Sequence, residues 1–130
     1  KEQPYFQSMS GAPMVQHSLN CMLEFYKKNL ISLEKIVEKM CHNPAILYKM
    51  TKRGFIREGY YADLTLVDLN SKWTVSKENL LYKCGWSPLE GTTFQTEIKQ
   101  TFVNGNLVYD NGIFFEQVKG KEIEFNTINE

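Results

Sequence analysis

The sequence predicts an α/β chain in which helices come first and antiparallel strands follow, and three observations carry that prediction. Apolar residues recur at helical spacing in two stretches that both precede Pro44. After Ala62 the period shortens to that of extended chain, beginning with the run Leu64 to Leu69. Two Asn-Gly pairs, Asn104-Gly105 and Asn111-Gly112, then stand between alternating segments, which is the strongest short-range signal for a β-hairpin.

The opening, residues 1–13, carries Pro4, Gly11 and Pro13 and reads as a loop rather than a helix or central strand. One reading of it is a disordered or foreign terminus, because Tyr5-Phe6-Gln7-Ser8-Met9 is similar to the remnant of a cleaved tag. From Met14 to about Asn29, Val15, Leu19, Met22, Leu23 and Tyr26 share one helical face. Lys27 and Lys28 stand at its end, where cations complement the helix dipole. His17, in the first turns, reads as a packed or solvated side chain rather than a ligand. In the next helix Leu33, Ile36, Val37, Met40 and Cys41 form the apolar face, and Glu34, Lys35, Glu38 and Lys39 form a solvated one. Ser32 is its expected N-cap, with Ile31 placed to staple against Ile36. Asn43 before Pro44 predicts a stop near Cys41, after which Asn43 caps a short helix from Pro44 to about Met50 that buries Ile46 and Leu47.

Gly54 and Gly59 mark turns before Leu64 to Leu69, a run short enough for a strand covered on both faces. Trp73 and Val75 alternate with polar residues, Ser76 caps a turn through Lys77 to Asn79, and Leu80 to Phe94 is a connector punctuated by Gly85, Pro88 and Gly91. Ile98 to Val103, Leu107 to Tyr109 and Ile113 to Phe115, joined by the two Asn-Gly turns, predict a three-stranded antiparallel meander. Val118 to Glu130 reads as an edge strand or a loose tail. The aromatics Trp73, Phe102, Tyr109, Phe114 and Phe115 read as core and cross-strand pairs rather than stacking platforms for bases.

Composition narrows the function classes. Fifteen basic residues balance fifteen acidic ones across 130 residues, so neither a nucleic-acid footprint nor attraction to an anionic membrane is expected. No apolar run approaches a membrane span, and no signal peptide is recognisable at the start. Cys21, Cys41 and Cys84 are odd in number and widely spaced, which fits reduced thiols in a cytoplasmic protein, with Cys21 and Cys41 expected to be buried. The only histidines, His17 and His42, have no acid or thiol at ligand spacing, so no metal site is read from this chain.

Asn43-Pro44-Ala45 at a helix break, then Gly54-Phe55-Ile56, then Glu58-Gly59-Tyr60-Tyr61-Ala62-Asp63-Leu64 and an apolar strand ending in Asp68 resemble the C-terminal segment of the amidohydrolase superfamily. Trp73-Thr74-Val75 and Lys83 to Gly91 are similar to the Trp-x-Val and Lys-x-x-x-x-Pro-Phe-x-Gly patterns of dihydroorotases, with Leu89 in place of Phe and Cys84 in place of a common Ser. The resemblance reaches to about Gly112. It implies the terminal loop and helices of a (β/α)-barrel over residues 1–52, followed over 53–130 by antiparallel strands of a small β-sandwich domain.

The opening loop gains a second reading from the same resemblance. Lys1-x-Gln3-Pro4, a spacer and Ser10-Gly11 before a helix resemble the loop whose amides approach the substrate carboxylate in bacterial dihydroorotases, so Ser10 and Gly11 are the implied substrate-binding residues. Ser10 departs from the bulkier residue frequent there, which leaves the correspondence resting on Gly11. An anionic ligand favours exposed N–H donors, and glycine permits close approach. The resemblance also implies two zinc ions in the intact enzyme, held by a His-x-His pair, a carboxylated lysine, further histidines and an aspartate, all upstream of Lys1. No catalytic residue and no metal ligand then falls in this chain, which alone is expected to be inactive. The implied activity interconverts N-carbamoyl-L-aspartate and dihydroorotate. The implied partners are the N-terminal part of the same enzyme and a small-molecule substrate, with room for a homo-oligomer.

Three alternatives stand beside this reading: a related allantoinase or hydantoinase, a non-catalytic paralogue that has lost its zinc ligands and scaffolds a partner, and a self-contained α+β binding module. Zinc content separates enzyme from scaffold. An apolar stripe at Leu33, Ile36 and Val37 left partly exposed argues against the self-contained module.

Overall fold

The computed structural model describes residues 4, 6 and 11–126. Its helical half holds α1 (Ser18–Lys27), α2 (Leu33–Val37), a π-helical turn (Glu38–His42) and α3 (Asn43–Leu47). Its extended half holds β1 (Leu64–Asp68), β2 (Trp73–Thr74), a 3₁₀ turn (Lys77–Asn79), β3 (Thr93–Phe94), β4 (Glu97–Val103), β5 (Asn106–Asp110) and β6 (Ile113–Phe114).

α1 starts later than its apolar pattern predicts. Met14 to His17 instead form a turn closed by His17 N–H donating to Met14 O at 3.0 Å, and Val15, in that turn, is exposed. Leu23 carries the buried face, and Cys21 is only half-buried. Ser32 caps α2 as expected, its Oγ accepting from Lys35 N–H at 3.2 Å.

The expected break at Asn43-Pro44 is replaced by a continuous helical path. Pro44 has no N–H and its ring would clash with the carbonyl four residues back. The chain responds with a wider turn: Asn43 N–H reaches Glu38 O, five residues back, and Asn43 is helical rather than a cap. The buried residue of α3 is Ala45, while Ile46 and Leu47, expected inside, are 63% and 73% exposed. Ala45 faces Gly54, where a Cβ would come within 2.4 Å of the Ala45 Cβ and 2.7 Å of Cys41 O. This contact between small residues fixes which side of α3 turns inward and leaves Cys41 exposed rather than buried. On α2 and the π turn only Ile36 is buried, and Val37 and Met40 are exposed, so the stripe is partly open as the sequence predicts.

The strands form two antiparallel sheets, one ordered β1-β4-β5-β6 and one made of β2 and β3. The meander β4-β5-β6 is the one expected, with Asn104, Gly105, Asn111 and Gly112 all at positive φ as type I′ turns require. The aromatics pair across strands: Tyr109 meets Phe114 at 5.0 Å between ring centres, and Trp73 meets Phe94 at 5.5 Å. β1 corrects the expectation of a strand covered on both faces. Among the described residues it lies at the sheet edge, paired only with β4, and Leu66 is 45% exposed. The 3₁₀ turn carries a reciprocal capping box between Ser76 and Asn79. The tail docks as a short edge, with Thr51 N–H donating to Glu124 O and Asn126 N–H to Lys49 O around a Met50–Phe125 bridge. The core lies where α1 meets α2 and β3, and its most buried apolar side chains are Val75, Phe94, Leu23 and Ile36.

Candidate functional site

The candidate site is the loop at Gly11 and the framework that holds the start of α1 behind it. Ser10 lies outside the described residues. Gly11 is exposed, sits at φ +79°, and has no atom within 4 Å of the place a Cβ would occupy. That left-handed backbone suits glycine, and the open space around it leaves its main chain accessible.

Behind Gly11 the chain is pinned by Gln16, a residue that no local pattern singles out. Its backbone N–H donates to the Tyr82 hydroxyl at 2.9 Å, its Nε2 donates to Asn79 O at 2.8 Å, and its Oε1 accepts from Leu81 N–H at 2.9 Å. One side chain and its own amide therefore tie the start of α1 to the connector more than sixty residues away. His17, next in sequence, is fully buried among Trp73, Tyr82 and Phe94, with ring centres 5.8 to 6.0 Å away. The packed role expected of it holds. Neither ring nitrogen has a hydrogen-bond partner among the described residues, and burial pushes its pKa down, which keeps the ring neutral.

One turn on, α1 completes the backbone bonding of the β3–β4 link, where no strand ladder runs. Asn20 Nδ2 and Trp73 Nε1 both donate to Thr96 O, at 3.1 and 3.0 Å, and Glu24 Oε1 accepts from Gln95 N–H at 2.6 Å. Beside this framework opens a cleft of about 920 Å³, mainly apolar, with Gln16, Asn20, Trp73, Tyr82, Ile98 and Phe114 among its lining. Of its lining carboxylates Glu78, Glu97 and Glu116, Glu97 accepts from Lys99 Nζ at 2.6 Å and Ser71 Oγ at 2.5 Å, which hold its pKa below the usual range. A carboxylate held ionised by two donors on one oxygen is a weak general base.

No group of three or more His, Cys, Asp or Glu side chains is placed to hold a metal among the described residues. His17 is sealed in its aromatic box, and His42 stacks on Phe55 at 4.3 Å between ring centres with the planes 7° apart. The described residues bring together no donor set that fits a zinc centre. No helix among the described residues is long and apolar enough to cross a membrane.

Asp63 supplies a second anchor. It pairs with Arg53, whose Nη2 donates to Asn104 Oδ1 at 2.9 Å, and it accepts from Asn104 N–H at 2.8 Å. The segment after the helices is thereby fixed to the first Asn-Gly turn.

Comparison with known proteins places this arrangement. The model of the Amidohydrolase family matches residues 5–108. A dihydroorotase of Pyrococcus furiosus is 32% identical over 114 residues, which cover 88% of this chain and 27% of that protein. An allantoinase of Desulfitobacterium hafniense is 31% identical over 124 residues, 95% of this chain and 28% of that protein. The L-hydantoinase (dihydropyrimidinase) of Arthrobacter aurescens superposes with a TM-score of 0.80 at 30% identity, over 91% of this chain and 27% of that one. The chain spans little more than a quarter of the length of these relatives.

Proposed function

Because the chain belongs to the amidohydrolase family, we propose that it is the C-terminal part of a cyclic amidohydrolase of the dihydroorotase kind, interconverting N-carbamoyl-L-aspartate and dihydroorotate in pyrimidine biosynthesis. The observation that carries this reading is the 32% identity to the P. furiosus dihydroorotase over 88% of the chain, which spans helices and strands alike. Residues 1–52 correspond in this proposal to the terminal loop and helices of the catalytic barrel, and 53–130 to the small β-sandwich domain.

Zinc, two ions in the intact enzyme by the same proposal, is held wholly by residues outside this chain. The chain's own contribution is positional. Gln16, Asn20 and Glu24 hold α1 to the connector and the β3–β4 link, and main-chain donors beside Ser10 and Gly11 meet the anionic substrate. The remaining part of the polypeptide is the partner that covers the exposed Val37, Met40, Ile46 and Leu47. A cytoplasmic location belongs to the same reading, and three unpaired thiols suit a reducing compartment.

The allantoinase identity and the L-hydantoinase superposition favour a second reading, an enzyme acting on a different cyclic amide. Purified longer polypeptide, assayed in parallel with dihydroorotate, allantoin and a hydantoin, separates the two. Turnover of dihydroorotate alone is the expected result, and turnover confined to allantoin or hydantoin establishes the second reading instead.

A further inference from the structure

The two Asn-Gly turns have the same local chemistry and different surroundings. At the first, the Gly105 amide, the Asn104 amide and Asn104 Oδ1 are all held from outside the turn, and Asn104 Nδ2, though unpartnered among the described residues, is buried. Gly105 N–H donates to Ala62 O at 3.0 Å, Asn104 Oδ1 accepts from Arg53 Nη2 at 2.9 Å, and Asn104 N–H donates to Asp63 Oδ1 at 2.8 Å. At the second, Asn111 and Gly112 are both exposed, and Gly112 N–H makes no hydrogen bond among the described residues. Asn111 N–H donates to Lys99 O at 2.8 Å, which fixes the peptide before Asn111 and leaves the one after it free. Its Nδ2 donates only to the neighbouring Asp110 Oδ1, at 2.7 Å.

We propose that Asn111 is a self-modification site, converting spontaneously to isoaspartate and aspartate, and that the fold protects Asn104 from the same reaction. The free Gly112 amide nitrogen attacks Asn111 Cγ. A Cγ–N bond forms, the Gly112 N–H proton is lost, the Cγ–Nδ2 bond breaks, and ammonia leaves carrying that proton. Water then adds to either carbonyl of the resulting succinimide and opens it to isoaspartyl or aspartyl chain. No oxidant or reductant enters. At Asn104 the same attack must first break the Gly105–Ala62 hydrogen bond and swing Asn104 Oδ1 away from Arg53 Nη2.

The product alters the hairpin. A new carboxylate stands next to Asp110, which loses the donor it had in Asn111 and keeps Gln100 Nε2 at 3.2 Å. In the isoaspartyl form the backbone gains a methylene inside a two-residue turn, so the Asp110–Ile113 and Tyr109–Phe114 pairings lose their register. Phe114, part of the cleft lining, is the side chain most directly displaced.

Incubation of the 130-residue chain in mildly alkaline buffer, followed by peptide mapping with an isoaspartate-specific methyltransferase, tests the proposal. Conversion at Asn111 is expected to run at least about tenfold faster than at Asn104, a ratio equivalent to about 1.4 kcal/mol. The same incubation in denaturant is expected to bring the two rates together, because the fold is what separates them. Equal rates in the native chain, faster conversion at Asn104, or a ratio that survives denaturation would each overturn the proposal.

Discussion

Arg53 and Asp63, ten residues apart, form an ion pair at the join between the helical and the extended halves of the chain. The Arg53 side chain is 10% exposed and also lies over the Tyr61 ring, 4.4 Å from its centre. A guanidinium so nearly buried depends on its carboxylate, since its desolvation is otherwise unpaid.

Asp63→Ala should therefore cost about 3 kcal/mol of unfolding free energy, because it leaves Arg53 unpaired and also removes the acceptor for Asn104 N–H. Urea denaturation reads this directly. A loss below about 0.5 kcal/mol, the size of an exposed pair, would show that the ion pair has no structural weight.

Gly54 and Gly59 have the same φ of +78° but different neighbours. Alanine at Gly59 meets only the left-handed backbone penalty, about 1–2 kcal/mol. At Gly54 the added Cβ also meets Ala45 and the Cys41 carbonyl, and a further 1–3 kcal/mol, roughly, is expected from overpacking. Thermal or urea unfolding of the two variants side by side should place Gly54→Ala clearly below Gly59→Ala. Equal losses would mean that α3 and residue 54 are not in close contact.

His17 makes the fold acid-sensitive. Burial lowers its pKa in the native state from the ordinary 6.5, so between the two values the unfolded chain binds more protons than the folded one. The stability this group contributes is complete above the ordinary value and is lost as pH falls through that window toward the native pKa. His17→Phe keeps an aromatic ring in the box and removes the proton site. Its unfolding free energy should change less than that of the parent chain as pH is taken from about 7.5 to about 5.5. Identical pH dependence in the two proteins would place the acid sensitivity elsewhere.

If the proposed function holds, Gly11→Val in the longer polypeptide should raise KM for dihydroorotate by roughly tenfold with a smaller effect on kcat, as expected when a ground-state binding contact is lost. A fall in kcat with KM unchanged would contradict a binding role for this loop.

Features that depend on neighbours in sequence were legible from the sequence, and those that depend on distant contacts were not. The two Asn-Gly turns and the caps at Ser32 and Ser76 are local devices, and each stands where its residues predict. The π turn escaped because apolar periodicity and a proline cannot distinguish a break from a widened turn. Ile46 and Leu47 are exposed within this chain because Gly54 approaching Ala45 sets which side of α3 turns toward the strands, a long-range contact that the hydrophobicity of α3 does not reveal. At the candidate site, Gly11 was singled out through the family resemblance, and the structure gives it an exposed main chain at positive φ. Gln16 was not, because its three partners lie more than sixty residues away.

Zinc content tests the central claim most directly, measured by elemental analysis on this chain and on the longer polypeptide after identical purification. The longer polypeptide should carry about two zinc ions per subunit, by two-metal logic, and the 130-residue chain none above background. Stoichiometric zinc in the short chain, or none in the longer one, would contradict the assignment of this chain as the metal-free closing part of a cyclic amidohydrolase.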